Sequence, residues 1–326
     1  MADDARPEHP PAVTVAPAPE DESLLTVLIA LGANALIAVA KSIVAFVTGS
    51  ASMVAEAAHS WADTGNEIFL LVAERTSDRE PDEKHPFGYG REAYVWSMFA
   101  AFGLFTAGAV VAIWHGIQSW SHPETTANYG WAYGVLALSF ALEGTSFLQA
   151  RRQTQEAARK SGLHPLRYLA LTSNPTLRAV FAEDAAALVG VLVAAGGIGL
   201  HQLTGDARWD SVGSILVGLL LGVIAVYLID RNRDFLVGQA VSPPVRRRAL
   251  MALLEDPDVE KVTFLHLEFV GPGKVLLLAA TDITGDQPET LVAQRLRAIA
   301  ERIEAHELVE KAFITLSTPG DEGLRP

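Results

Sequence analysis

The chain has 326 residues, a formal net charge of −13, 50% hydrophobic residues and no cysteine. A mean hydropathy of +0.24 makes a water-soluble enzyme the lesser reading and points to membrane spans with soluble extensions. Without cysteine there are no disulfides or thiolate sites, so any metal must be held by His, Asp, Glu, Asn or backbone oxygen; the acidic balance also excludes the counterion-releasing grip that nucleic-acid binding needs.

In chain order, residues 1–22 carry Asp3, Asp4, Glu8, Glu20, Asp21 and Glu22 among prolines and alanines, with no basic stretch ahead of an apolar one. They read as a disordered acidic cytoplasmic tail and not as a signal peptide. Six apolar segments follow, at residues 24–47, 51–73, 94–120, 129–150, 177–203 and 212–229. Each approaches the ~20 residues that a helix needs to cross a ~30 Å hydrocarbon core. Arg75, Arg79, Lys84 and Arg91 lie between segments two and three, five Lys and Arg between four and five with Arg178 at the start of five, and Arg231 and Arg233 after six; the opposite loops hold only Arg208. The positive-inside rule then gives an even number of spans with both termini cytoplasmic, in an integral membrane protein expected in a bacterial plasma membrane.

After Pro243-Pro244 the pattern changes to that of a small soluble domain. Residues 245–254 read as a helix, 259–269 and 274–283 as strands joined by the Gly271-Pro272-Gly273 turn, and 313–316 as a last strand. Leu291, Val292, Leu296, Ile299 and Ile303 recur at helical spacing between them. The order αββαβ suits an α+β layer. The expected domains are a tail at 1–22, a transmembrane domain at 23–238, a linker at 239–243, a cytoplasmic domain at 244–318 and a short tail at 319–326.

Charges at bilayer depth cost about 2.5–3.5 kcal/mol each on insertion scales, so they usually face a cavity or a partner and mark an ion path. The second span has His59, Asp63 and Asn66 along one helical stripe, which offers an imidazole, a carboxylate and an amide oxygen to one side. The fifth span adds Glu183 and Asp184. Neighbouring residues diverge by about 100° around a helix, so only one of these two points at the stripe, and Asp184 is the preferred one. Glu143 reads equally as part of the ion path or as a partner of Lys41, and Asn34 and Lys41 as structural, with Lys41 paired or snorkelling outward.

The run from Thr48 to Asn66, containing Glu56, His59 and Asp63, closely resembles the signature of the cation diffusion facilitator family, the zinc-transporter type of divalent metal exporter. The segments His85-Pro86-Phe87-Gly88-Tyr89-Gly90-Arg91, Trp209-Asp210-Ser211-Val212-Gly213 and Gly238-Gln239-Ala240 resemble its second loop, its sixth-helix entry and its junction to a cytoplasmic domain. The resemblance covers residues 24 to about 317. It implies an all-α six-helix transmembrane domain followed by a small α+β, ferredoxin-like αββαβ cytoplasmic domain, in a homodimer. It also implies a transport site that takes two residues at i and i+4 from each of the second and fifth spans. His59 and Asp63 match the first pair and Asp184 the second member of the other pair, while the remaining position falls on Val180, which has no ligand atom. Asn66, Glu183 or a water then completes the shell. In the second loop, where some members bind a further metal, Asp82 and His85 match and Tyr89 stands where a histidine is expected. His266 and His306 of the cytoplasmic domain are a poor set for stable metal, and His115, His122, His164 and His201 read as solvated.

The expected function is proton-exchanging export of a divalent cation, with zinc first because His and carboxylate ligands suit it, and manganese, cobalt or iron as alternatives. Metal and protons are the expected partners beside the lipid bilayer, and no prosthetic group is expected. A membrane metallohydrolase and a non-transporting scaffold are the readings from other classes.

Overall fold

A computed structural model describes residues 24–122, 128–318 and 320–325. The expected acidic tail at 1–22 lies outside the described residues, as does most of the loop between the third and fourth spans. The transmembrane part contains α1 (Leu24–Thr48), α2 (Ala51–Ser77), α3 (Glu92–Gly103) and α4 (Val111–Ser121), α5 (Tyr129–Lys160), the short α6 (Pro165–Leu171), α7 (Pro175–Thr204) and α8 (Arg208–Val237). α3 and α4 are one continuous span interrupted by a π-helical turn, Leu104–Val110, which the apolar pattern does not reveal. Gly108 in that turn packs on α2 and α8, where an added Cβ would lie 3.2 Å from Leu221 and 3.8 Å from Ala62.

Among the described residues five helices are long and apolar enough to cross a membrane: Leu31–Thr48, Glu92–Ser121, Tyr129–Lys160, Pro175–Thr204 and Arg208–Val237. The sixth member of the bundle, α2, does not qualify by composition because it carries the polar stripe. It packs instead against α1, α3, α4, α7 and α8, so its polar groups are shielded from lipid by neighbouring helices. α5 runs ten residues beyond the expected end at 150, because residues 151–160 are good helix formers that continue the hydrogen-bonded ladder outside the apolar layer.

The C-terminal part has α9 (Pro243–Leu254), β1 (Val259–Gly271), β2 (Lys274–Ile283), α10 (Glu289–Glu304) and β3 (Val309–Leu316), the αββαβ order. The sheet order is β1-β2-β3, with β1 antiparallel and β3 parallel to β2. The parallel pair needs the crossover that α10 supplies. On β2, Val275, Leu277, Ala279, Thr281 and Ile283 alternate inward, and Leu250, Leu253 and Ile299 from the two helices cover them. Prolines at the first turn of α9 cost no hydrogen bond there.

The two parts are tightly joined. Gly90 lies against the end of β1, where an added Cβ would come within 2.7 Å of Gly271 Cα and of Val270 O. Arg91 pairs with Glu268 at 2.9 Å, the Gly273 N–H donates to Ser173 Oγ at 2.9 Å, and Phe235 at the end of α8 stacks on Tyr94 and meets Phe269 edge-on.

Candidate metal site

The position of the polar stripe is set at the start of α2. Gly49 takes a positive φ of 66° to turn the chain between α1 and α2, and Ser50 caps the helix by accepting from Met53 N–H. The first N–H groups of a buried helix have no intrahelical acceptor, and here Asp210 from the first turn of α8 supplies one. Its carboxylate accepts from Ala51 N–H at 2.7 Å, Ser52 N–H at 3.2 Å and Ser50 Oγ at 2.9 Å. Close approach of α7 and α8 to this end depends on glycine: an added Cβ on Gly213 would lie 2.5 Å from Ser52 Oγ, and one on Gly197 3.0 Å from Trp209 O.

About two turns deeper, His59 is 0% exposed and its Nδ1 lies 3.2 Å from Asp63 Oδ1, without the alignment of a hydrogen bond. Asn66 Nδ2 donates to Glu183 Oε2 on α7. Asp184 turns toward α5, where it accepts from Ser146 Oγ at 2.7 Å, while staying within electrostatic reach of Asp63 and His59. The acid that contacts α2 is therefore Glu183, where Asp184 was the expected one. The 100° step between them is as anticipated, but the rotation of α7 about its axis aims Glu183 at α2 and Asp184 toward α5. Val180 packs with Leu70, Ala101 and Leu228 in an apolar cluster.

The side chains stand in pairs; no three His, Asp or Glu among the described residues converge as one metal-binding group. What the pairs leave is a set of buried atoms with no partner, His59 Nε2, Asn66 Oδ1 and Glu183 Oε1, beside the unaligned His59 Nδ1–Asp63 Oδ1 contact. Most buried polar atoms in proteins are satisfied, so such a cluster at mid-span suits a ligand that supplies positive charge.

Two acids on the same stripe were given no role by sequence reasoning, Glu56 being named only as part of the signature run. Glu56 and Glu67 flank His59 and Asp63 at helical spacing, which was the available signal. Lys41 on α1 bridges Glu56 and Glu143 on α5, each at 3.0 Å, so Lys41 is paired and does not snorkel. Glu67 accepts from Asn34 and lies within electrostatic reach of Asp63 and Asp184.

In the second loop Asp82 organises a turn, accepting from the backbone N–H of Lys84 and His85 and from Tyr89 hydroxyl at 2.7 Å. The Tyr89 bond holds its carboxyl below the usual range, and His85 Nδ1 stands 3.4 Å away. His201 is 3% exposed and meets Tyr129 edge-on, which corrects the expectation that it is solvated.

The family profile described as the cation efflux transmembrane domain matches residues 27–237, which takes in all of the spans and every stripe residue. The chain belongs to the cation efflux family. It is 35% identical over 293 residues to the mitochondrial proton-coupled zinc antiporter SLC30A9 of Xenopus laevis, covering 86% of this chain and 52% of the relative. Metal tolerance protein C4 of Arabidopsis thaliana is 34% identical over 266 residues, covering 82% and 58%. Zinc transporter ZitB of Escherichia coli is 25% identical over 302 residues, covering 91% and 88%. The chain thus spans about half the length of the first curated relatives it matches. As a cation efflux family member it is an integral membrane protein and not an enzyme, which removes the metallohydrolase reading.

Proposed function

We propose that the protein is a secondary transporter that exports a divalent metal cation, zinc first, in exchange for protons at a site between α2 and α7. The observation that carries this reading is the set of partnerless buried atoms on His59, Asn66 and Glu183 beside the His59–Asp63 pair, in a chain whose relatives include named zinc antiporters and transporters. His59 and Asp63 are the central ligands. Asp184 joins them by leaving Ser146, and Asn66 and Glu183 are additional ligands. The Asp82 and His85 pair is a subsidiary loop site. Both His59 and the carboxylates must give up protons before their lone pairs bind a cation, so metal and protons compete and exchange follows. The oxygen-rich neighbourhood that Asn66 and Glu183 provide favours manganese as the second choice.

Both termini lie on the side of the basic loops, the cytoplasmic side of a bacterial plasma membrane. The functional unit is a homodimer; Phe264, level with Ala280 on the face of the C-terminal sheet away from α9 and α10, remains 53% exposed, which suits a second copy there.

The test is flux into proteoliposomes carrying a trapped pH dye, with zinc, manganese, cobalt, iron and cadmium offered in turn. Zinc movement with opposite proton movement is expected, and Asp63→Ala is expected to lose flux while keeping its dimer. Zinc flux that leaves internal pH unchanged, or full flux in Asp63→Ala, overturns the reading; manganese flux without zinc flux reverses the choice of metal. Retained cellular function in Asp63→Ala without any flux would favour the scaffold.

A further inference from the structure

We propose that the crevice where α5 leaves the membrane and α6 turns the chain back to α7 binds an anionic phospholipid of the leaflet on the basic-loop side. Its phosphate sits at Arg151, and its acyl chain lies on Phe147, Phe181 and Leu166.

The crevice is a cavity of about 290 Å³ with two chemistries in its wall. Its floor is apolar: Phe147 of α5 and Phe181 of α7 pack with ring centroids 5.3 Å apart, and Leu166 of α6 beside them is 63% exposed. Its rim is polar and basic, from Arg151, Gln155 and His164. Depth follows from helix geometry. The 22 residues from 129 to 150 rise ~33 Å at 1.5 Å each, about the thickness of the hydrocarbon core, so Arg151 emerges at headgroup level with Phe147 one turn below it. Polar above and aromatic below at that depth is the arrangement of a lipid and not of a water-borne anion.

Charge selects the kind of lipid. Between residues 151 and 167 the sequence has Arg151, Arg152, Arg159, Lys160 and Arg167 against Glu156 alone, in a chain whose net charge is −13. All five basic side chains are exposed, and none makes an ion pair with any described residue. Elsewhere on the same side, Arg231 and Arg233 are paired within α8 and Arg91 with Glu268, while Arg75, Arg79 and Lys84 are also without an ion pair among the described residues but do not line the crevice. An unpaired basic cluster at headgroup level, beside an apolar floor, is complementary to an anionic phospholipid. Phe181 precedes Asp184 by one helical turn, so a lipid seated here touches the element that carries the two acids of the candidate metal site.

The test uses the full chain in uncharged detergent and does not depend on transport. Native mass spectrometry reads binding of phosphatidylglycerol, phosphatidylcholine and, as competitor, inorganic phosphate. Arg151→Gln removes the rim charge, and Arg159→Gln removes an equal charge from the same helix outside the crevice. Expected are preference for phosphatidylglycerol by at least about tenfold, loss of about tenfold in Arg151→Gln against less than about twofold in Arg159→Gln, and no displacement by phosphate. Leu166→Ser, which alters the floor and leaves every charge in place, is expected to weaken the lipid by a few-fold. Equal losses in the two arginine variants reduce the effect to a diffuse field and overturn the site, as do equal affinity for the two lipids, displacement by phosphate, or no loss in Leu166→Ser.

Discussion

Replacing Lys41 by methionine is the sharpest perturbation of the bundle. The ammonium bridges Glu56 and Glu143 at 3.0 Å each, and both Lys41 and Glu56 side chains are wholly inaccessible. Methionine keeps most of the volume and removes the charge, which leaves two carboxylates facing one another with nothing between them. Breaking a buried pair by removing one partner costs about 3–5 kcal/mol, much of it the desolvation of the charge left behind. The network here has two acids on one base, so about 4 kcal/mol is expected, close to a thousandfold in the folded-to-unfolded ratio. The triple variant Lys41→Met, Glu56→Gln, Glu143→Gln removes every charge together and is expected to recover most of that loss. Titrating the full chain from mild detergent into dodecyl sulfate, followed by fluorescence of its six tryptophans, measures both differences. A loss below about 1 kcal/mol in Lys41→Met, or a triple variant no better than the single one, would refute the reasoning that this network is ionised and buried.

Asp210→Ala strips three hydrogen bonds from the start of α2 and should cost about 2 kcal/mol in the same titration, with an unchanged midpoint counting against its role as a cap. Gly90→Ala drives a methyl group to 2.7 Å from the backbone of β1, so an overpacking cost of about 1–3 kcal/mol should loosen the junction and speed protease cleavage near residues 239–243; wild-type cleavage rates would contradict the close approach. In the C-terminal part, burial pushes the Asp256 carboxyl up, but the two 2.8 Å bonds from Arg302 more than offset it, and its pKa ends below the usual value. A lowered folded-state pKa contributes stability that is present above the ordinary carboxylate value and lost as pH falls through the folded one. Hydrogen-exchange protection at the α9–β1 corner should therefore fall below about pH 4 and hold above it, and protection that is flat through that range would be the contrary result.

Much of the fold was legible because its signals are local. The strand Lys274–Ile283 was bounded correctly at both ends, since the Pro272-Gly273 turn fixes its start and strict alternation carries its length. Apolar segments located all six long helical segments of the bundle, five of them long and apolar enough to cross a membrane, but hydropathy marks where lipid ends and not where hydrogen bonding does, so the polar last third of α5 was missed. The π-helical turn at Leu104–Val110 has no apolar signature either. At the candidate site, His59, Asp63 and Asn66 were readable as a stripe because spacing on one helix is fixed geometry. Which acid of α7 meets that stripe was not, because the rotation of one helix against another is decided by packing across both. Asp210 illustrates the same boundary: its sequence context was singled out, while its task of capping a helix some 160 positions earlier exists only in the folded chain.

The central claim is that facing polar groups of α2 and α7 hold the transported cation. Anomalous diffraction at the zinc edge, from crystals of the full chain grown with zinc, tests it most directly. The account predicts a peak between these helices at ~2.0–2.2 Å from a His59 nitrogen and a carboxylate oxygen of Asp63. Zinc peaks confined to the Asp82 loop or the C-terminal sheet, with none between α2 and α7, would contradict it.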